Sequence, residues 1–308
     1  MVERMVGPVG ADGVELCTES FGDPADPPVL LVMGTGASML WWDEDFCRLL
    51  AAGGRHVIRY DHRDTGRSTG WPPGRPGYTG SDLVDDAARV LDGHGIAAAH
   101  VVGVSAGGAL AQLLALGQPG RVLSLVLIST SSAVSGGREL PPPTEEFLRF
   151  ASAAADDRPG TDAGTDHRVA YARLLAGGRR PFDEAAARSL VRRETERARD
   201  PAAAGNHDLL AEGTPARADL SAVAVPVLVV HGTADPMFPL AHGEALAERI
   251  PGARLLVLTD AGHGVDRADW PTVVPAVLAH TAPHTAPGER PAGRAPGPGR
   301  STTGGRGG

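Results

Sequence analysis

The chain has 308 residues, a formal net charge of −8 and 42% hydrophobic residues, enough for one large α/β domain with an insertion and too acidic to favour nucleic acid as a partner. All 29 basic residues are arginine, which excludes a Schiff-base lysine, a P-loop lysine and a Ser-Lys dyad. Two cysteines, Cys17 and Cys47, are too few for a disulfide framework or a cysteine metal site, and no apolar run reaches membrane-spanning length.

Met1 to Leu16 carries Glu3, Arg4, Asp12 and Glu15 with no continuous apolar segment, so a signal peptide is not expected, and the free thiols suit a reducing cytoplasm. Val29 to Met33 is a short apolar run between a proline pair and Gly34, and reads as a buried strand. Phe46 to Ala52 is helix-like, Val57 to Tyr60 is a second strand, and Ser81 to His94 is a second helix with His94 at its solvated end. His100 to Val104 is a third strand, broken at Ser105-Ala106-Gly107-Gly108 before a helical stretch from Ala109 to Leu116. Val122 to Ile128, Val227 to Val230 and Ala253 to Leu258 are three more strands, with helices at Ala241 to Ile250 and Thr272 to His280. Apolar strands alternating with helices predict a mostly parallel sheet covered on both faces.

The alternation fails between residues 133 and 220. That segment is rich in Arg, Ala, Asp and Glu and reads as helices joined by Gly/Pro loops, hence a helical lid inserted into a core formed by residues 1–132 and 221–282. A separate helical domain is the alternative. Phe147, Leu148, Phe150, Tyr171, Leu174, Leu175 and Phe182 are its candidates to face a substrate or to pack on the core, and Arg192, Arg193, Glu194 and Glu196 read as its solvated face. Residues 283–308 are Pro, Gly, Arg and Thr without periodicity and are expected to be disordered.

Gly103-Val104-Ser105-Ala106-Gly107 has the form G-x-S-x-G, with an apolar strand leading in and a small-residue helix leading out. A tight strand-to-helix turn needs glycine two before and two after the serine, and the helix N-terminus favours developing negative charge there. A serine hydroxyl needs a base to act as a nucleophile. Of 11 histidines, His263 follows the last strand on a loop at the carboxyl edge of the sheet, where Ser105 also lies; His231 shares that edge and is the rival, and His100 lies at the opposite one. Asp235, just past the Val227 strand, is the candidate acid, and Asp260 and Asp266 read as solvated loop residues. Two backbone donors would complete an oxyanion hole, one on Ala106 and one on the Gly34-Thr35-Gly36 loop, where Thr35 is preferred.

FGDPADPPVLLVMGTG, HVIRYDHRDTGRST and HVVGVSAGG together resemble aclacinomycin methylesterase and related actinobacterial ester hydrolases of the α/β-hydrolase superfamily. The resemblance covers most of the chain to about residue 282. It implies an α/β-hydrolase fold and hydrolysis of a carboxylic ester with no metal or organic cofactor, the substrate being a small molecule such as a methyl ester of a polyketide-like metabolite. By match, Ser105, Asp235 and His263 form the triad, and Thr35 and Ala106 take the oxyanion role. The chain departs at Ala106, where the methylesterase has methionine, and at Thr35, where it has glycine. Some members place the acid one strand earlier, but here that strand ends in Ser129-Thr130-Ser131-Ser132 without a carboxylate. Asp61, His62, Arg63 and Gly66 in DHRDTGRS read as a structural loop. A thioesterase, lactonase, C–C hydrolase or cofactor-free perhydrolase on the same triad is the alternative activity. No zinc-spaced ligand set is present, neither nucleic acid nor membrane is expected as a partner, and the oligomeric state stays open.

Overall fold

The predicted apolar runs become six adjacent strands in the computed structural model, which describes residues 3–7, 13–153, 159–210 and 219–282. They are β3 (Pro28–Val32), β4 (His56–Tyr60), β5 (Ala99–Val104), β6 (Val122–Ile128), β7 (Val227–Gly232) and β8 (Arg254–Leu258), all paired in parallel. Two further strands, β1 (Arg4–Val6) and β2 (Leu16–Phe21), add to one edge antiparallel and were not expected from the sequence. The eight-stranded order is β1-β2-β4-β3-β5-β6-β7-β8. The predicted disorder of residues 283–308 concerns a segment outside the described residues.

Alternate residues of each central strand feed two separate cores, as the two-residue period of a strand requires. Leu30, Ile58, Val101, Leu125 and Val229 face α2 (Gly80–Gly93), α3 (Ala106–Gly117) and α7 (Ala241–Arg249). Leu31, Val57, Val102, Val126 and Val230 face α1 (Glu44–Ala52) and α8 (Trp270–His280). With helices on both faces, β4, β5 and β7 are buried at every position, which explains why consecutive residues such as Val57 and Ile58, Val101 and Val102, and Val227 to Val230 are all apolar. Between β6 and β7 the chain runs through α4 (Glu145–Ser152), α5 (Asp162–Leu175), α6 (Glu184–Arg197) and a 3-10 helix at Ala203–Leu209. No helix among the described residues is long and apolar enough to cross a membrane.

The connections reverse around β3. β4 lies on one side of it and β5 on the other, so the loops leaving β3 and β5 diverge and open a crevice at the carboxyl ends. One buried ion pair fixes the loop after β4. The Arg63 guanidinium grips Asp86 of α2 with two bonds, 2.6 Å from Nε to Oδ2 and 2.7 Å from Nη2 to Oδ1, beneath the rings of Trp71 and Tyr78. Both side chains are essentially inaccessible, at 2% and 0%. Asp86→Ala would remove the two-bond partner of this buried guanidinium, leaving it Asp82 Oδ1 at 4.0 Å, and is expected to cost about 3–5 kcal/mol. A urea titration with an unchanged midpoint would refute that expectation.

Candidate active site

Ser105 caps the N-terminus of α3 with φ 55° and ψ −125°, a conformation that costs a non-glycine residue strain. Four bonds hold it there: its N–H donates to the Ile128 carbonyl (3.0 Å), and its own carbonyl accepts from Gly108 N–H (2.9 Å), Ala109 N–H (3.3 Å) and Thr130 Oγ1 (2.7 Å). The flanking glycines are sterically required. A Cβ on Gly103 would enter the Gly107 carbonyl, and one on Gly107 would enter the Val32 and Met33 carbonyls. The loop leaving β3 lies directly against the serine, since a Cβ on Gly34 would be 3.2 Å from Ser105 Cβ and 3.8 Å from its Oγ.

Asp235 and His263 meet across the turns after β7 and β8. His263 Nδ1 donates to Asp235 Oδ2 at 2.9 Å and lies 3.2 Å from Oδ1. Asp235 Oδ1 also accepts the N–H groups of Met237 and Phe238, each at 2.9 Å. Burial by itself would raise the Asp235 carboxyl. The hydrogen bond from His263, the imidazole's charge and the Phe238 N–H outweigh it and hold the group below the usual carboxylate range. With Nδ1 donating to the acid, His263 Nε2 is left as the acceptor. Ser105 Oγ makes no hydrogen bond to it among the described residues; such contacts often tighten only when substrate is bound.

The rival histidine lies beneath the acid. His231 is fully buried, its Nε2 donates to the Phe238 carbonyl at 2.7 Å, and it stands 3.6 Å from Asp235 Oδ2. Burial pushes its imidazole below the ordinary histidine range, against the pull of the Phe238 carbonyl and Asp235. His100 pairs with Ser124 Oγ (2.8 Å) at the start of β5, at the far edge of the sheet. Asp260 is exposed. Asp266 is exposed too and caps the short helix Arg267–Asp269.

The inserted segment is seated on both of these turns. The carbonyl of Leu175, the last residue of α5, accepts the His263 N–H at 2.7 Å. A Cβ on Gly262 would enter that same carbonyl, and one on Gly177 would enter the carbonyl of Ala234. Arg180 closes the seam with bonds to Asp269 Oδ1 (2.6 Å) and to the Thr259 carbonyl. Earlier in the insertion, Phe150 stacks between His167 (4.9 Å) and Tyr171 (5.8 Å), and Phe147 lies 6.2 Å from Tyr171. Burial, with the charges of Asp208 and Asp235, pushes the Tyr171 hydroxyl up to about 12. Leu148, by contrast, is exposed at 46%.

Thr35 N–H makes no hydrogen bond among the described residues, and Ala106, the first residue of α3, has no partner for its N–H within the helix. The loop bearing Thr35 is pinned by Asp61 and His62 of the loop read as structural, by Glu194, and by His207, which the sequence reading did not single out. His62 Nε2 donates to the Met33 carbonyl (2.9 Å), His207 Nδ1 accepts from Gly36 N–H (2.9 Å), and Glu194 Oε1 accepts from Ser38 N–H (2.7 Å). Asp61 Oδ1 accepts from Met39 N–H (2.9 Å).

Glu194 was expected on a solvated face and is instead 5% exposed, its other oxygen held by Arg168 at 2.5 Å. The signal was available: Glu194 is three residues from the fully buried Val191 and shares its side of α6. His94 also departs from expectation. It is half-buried, 3.0 Å from Thr18 Oγ1, and burial with Arg4 and His56 nearby lowers it to about 4. Both thiols are buried, and burial pushes Cys17 and Cys47 up to about 12. Among the described residues no cluster of three His, Cys, Asp or Glu side chains is arranged to hold a metal.

A parallel sheet with reversed connections and a strained serine at its carboxyl edge matches the α/β hydrolase fold, whose family model fits residues 27–265; the chain belongs to that family. It is 35% identical to rhodomycin D methylesterase DauP of Streptomyces sp. (strain C5) and 36% identical to rhodomycin D methylesterase DnrP of Streptomyces peucetius. Each match spans 297 residues, 88% of this chain and 96% of the relative. Among solved structures it is similar to the esterase RhEst1 from Rhodococcus sp. ECU1013, with a TM-score of 0.74 over 92% of this chain and 100% of that one; at 22% identity this likeness speaks for the fold alone.

Proposed function

We propose that this carboxylic-ester hydrolase cleaves a methyl ester of a polyketide-like metabolite through an acyl-enzyme on Ser105. His263 is the general base and then the general acid, Asp235 orients it, and the N–H groups of Thr35 and Ala106 receive the oxyanion. The observation that carries the reading is the 2.9 Å bond from His263 Nδ1 to Asp235 Oδ2, beside a serine held at positive φ on the same sheet edge. That bond fixes the tautomer in which Nε2 can take a proton. The identity to two proteins named as methylesterases, over nearly their whole length, favours a methyl ester.

Ser105 Oγ attacks the ester carbonyl carbon, its proton passes to His263 Nε2, and the carbonyl electron pair moves onto oxygen facing the two N–H donors. The tetrahedral adduct collapses by breaking the bond to the methoxy oxygen, which takes the proton from His263 and leaves as methanol. Water repeats the sequence on the acyl-serine and releases the acid. No metal or organic cofactor enters this scheme. Residues 133–220 act as a lid, and Phe147, Phe150 and Tyr171 offer an aromatic wall for the ring system of the acid.

The test is a panel of methyl esters of polycyclic aromatic acids, p-nitrophenyl esters of graded length and acyl thioesters, read as methanol, p-nitrophenol, thiol and free acid. The methyl esters should lead in kcat/KM by about tenfold or more. A thioester at the head of the ranking would overturn the substrate assignment.

A further inference from the structure

We propose that His207, carried on the insertion, is a positioning residue for the oxyanion loop: its Nδ1 holds the Gly36 peptide and thereby aims the neighbouring Thr35 N–H. The inference rests on the acyl-enzyme reading above. Hydrogen-bond chemistry fixes the tautomer. Gly36 N–H lies 2.9 Å from Nδ1 and can only donate, while the Arg63 carbonyl lies 2.8 Å from Nε2 and can only accept. His207 therefore works as a neutral Nε2–H imidazole and bridges two core loops, the one after β3 and the one after β4.

The Met33–Gly36 loop is thus gripped at both ends by imidazoles. His62 donates to the Met33 carbonyl from the core side, and its ring meets that of His207 edge-on at 5.9 Å. Between the two anchors, Thr35 has an exposed side chain and no hydrogen bond of its own N–H among the described residues. Its peptide plane is restrained by a long bond from Ala37 N–H to the Gly34 carbonyl (3.4 Å) and by the anchored residues on either side. Gly36 stands at φ 64°, and a Cβ there would come within 3.4 Å of the Ala204 carbonyl, on the same 3-10 helix that carries His207. An oxyanion donor acts through alignment, and losing one typically costs 10²- to 10³-fold in kcat.

Two isosteres separate the two ring nitrogens. In His207→Asn the amide oxygen falls where Nδ1 lies and still accepts from Gly36. In His207→Gln the amide nitrogen falls where Nε2 lies and keeps only the bond to Arg63. With a short p-nitrophenyl ester, His207→Gln should lose about 10²-fold in kcat with KM nearly unchanged, and His207→Asn should recover most of that loss. A Gln variant with wild-type kcat, or equal losses in both that follow their melting temperatures, overturns the proposal. Should either variant fail to fold, isotope-labelled wild-type protein decides: a through-hydrogen-bond coupling between Gly36 N and an unprotonated His207 Nδ1 is expected, and a protonated Nδ1 rules the proposal out. Ser105→Ala in the same assay keeps the two readings apart. Full turnover in that variant sinks the acyl-enzyme itself, whereas an inactive Ser105→Ala beside an unaffected His207→Gln sinks only the positioning role.

Discussion

Ser105→Ala is expected to lower ester turnover by about 10⁴- to 10⁶-fold while leaving the melting temperature within a degree or two of the parent. The size follows from the chemistry, since without Oγ no acyl-enzyme forms and only binding and the backbone donors remain. The unchanged stability follows from the bonding. Every hydrogen bond that holds residue 105 at φ 55° uses its backbone, to Ile128, Gly108, Ala109 and Thr130, and alanine keeps all four. Trapping with a p-nitrophenyl ester should show a covalent acyl adduct on the parent by mass spectrometry and none on the variant. A folded Ser105→Ala protein with near-normal turnover would remove the serine from the mechanism.

Asp235→Asn should be nearly as severe, about 10⁴-fold in kcat. The two N–H donors of Met237 and Phe238 both point at Oδ1, so an asparagine places its carbonyl oxygen there and its amide toward His263. The amide can only donate, so the imidazole must turn to the tautomer with its proton on Nε2, where it cannot accept one from serine. Asp260→Asn is the matched control. Asp260 is exposed and sits at φ 58°, a region asparagine tolerates well, and its turnover should stay within about threefold of the parent. If Asp260→Asn were the more damaging of the pair, the acid would be misassigned.

The parallel half of the sheet was legible because both faces of it are covered. Strands such as LVLI and HVVGV then have no solvent side to encode, and apolar continuity marks them out. β2 escaped notice because LCTESF carries Thr18, Glu19 and Ser20, and β1 because two of its three residues are exposed. Glu19 is there for Arg59, 2.9 Å away from Nε on the neighbouring strand, a pairing that separation in sequence hides. The tight turn at Ser105 was readable since its glycines answer to local crowding. The bonds that pin the loop after β3 were not, because Ser38 and Glu194, or Gly36 and His207, lie more than 150 residues apart and nothing local in the sequence pairs one with the other. Folding alone brings them together.

The seam between the insertion and the turns after β7 and β8 bears on how such an enzyme can be re-engineered. Leu175 and Gly177 touch the His263 and Asp235 loops through backbone atoms, and Arg180 rivets them to the turn beyond. Grafting the whole segment between β6 and β7 from a relative would therefore import a new alignment of the imidazole along with a new pocket. A chimera that conserves residues 175–180 and diversifies 144–171 uncouples the two, leaving the reactive machinery to the host while the donor redraws the substrate wall.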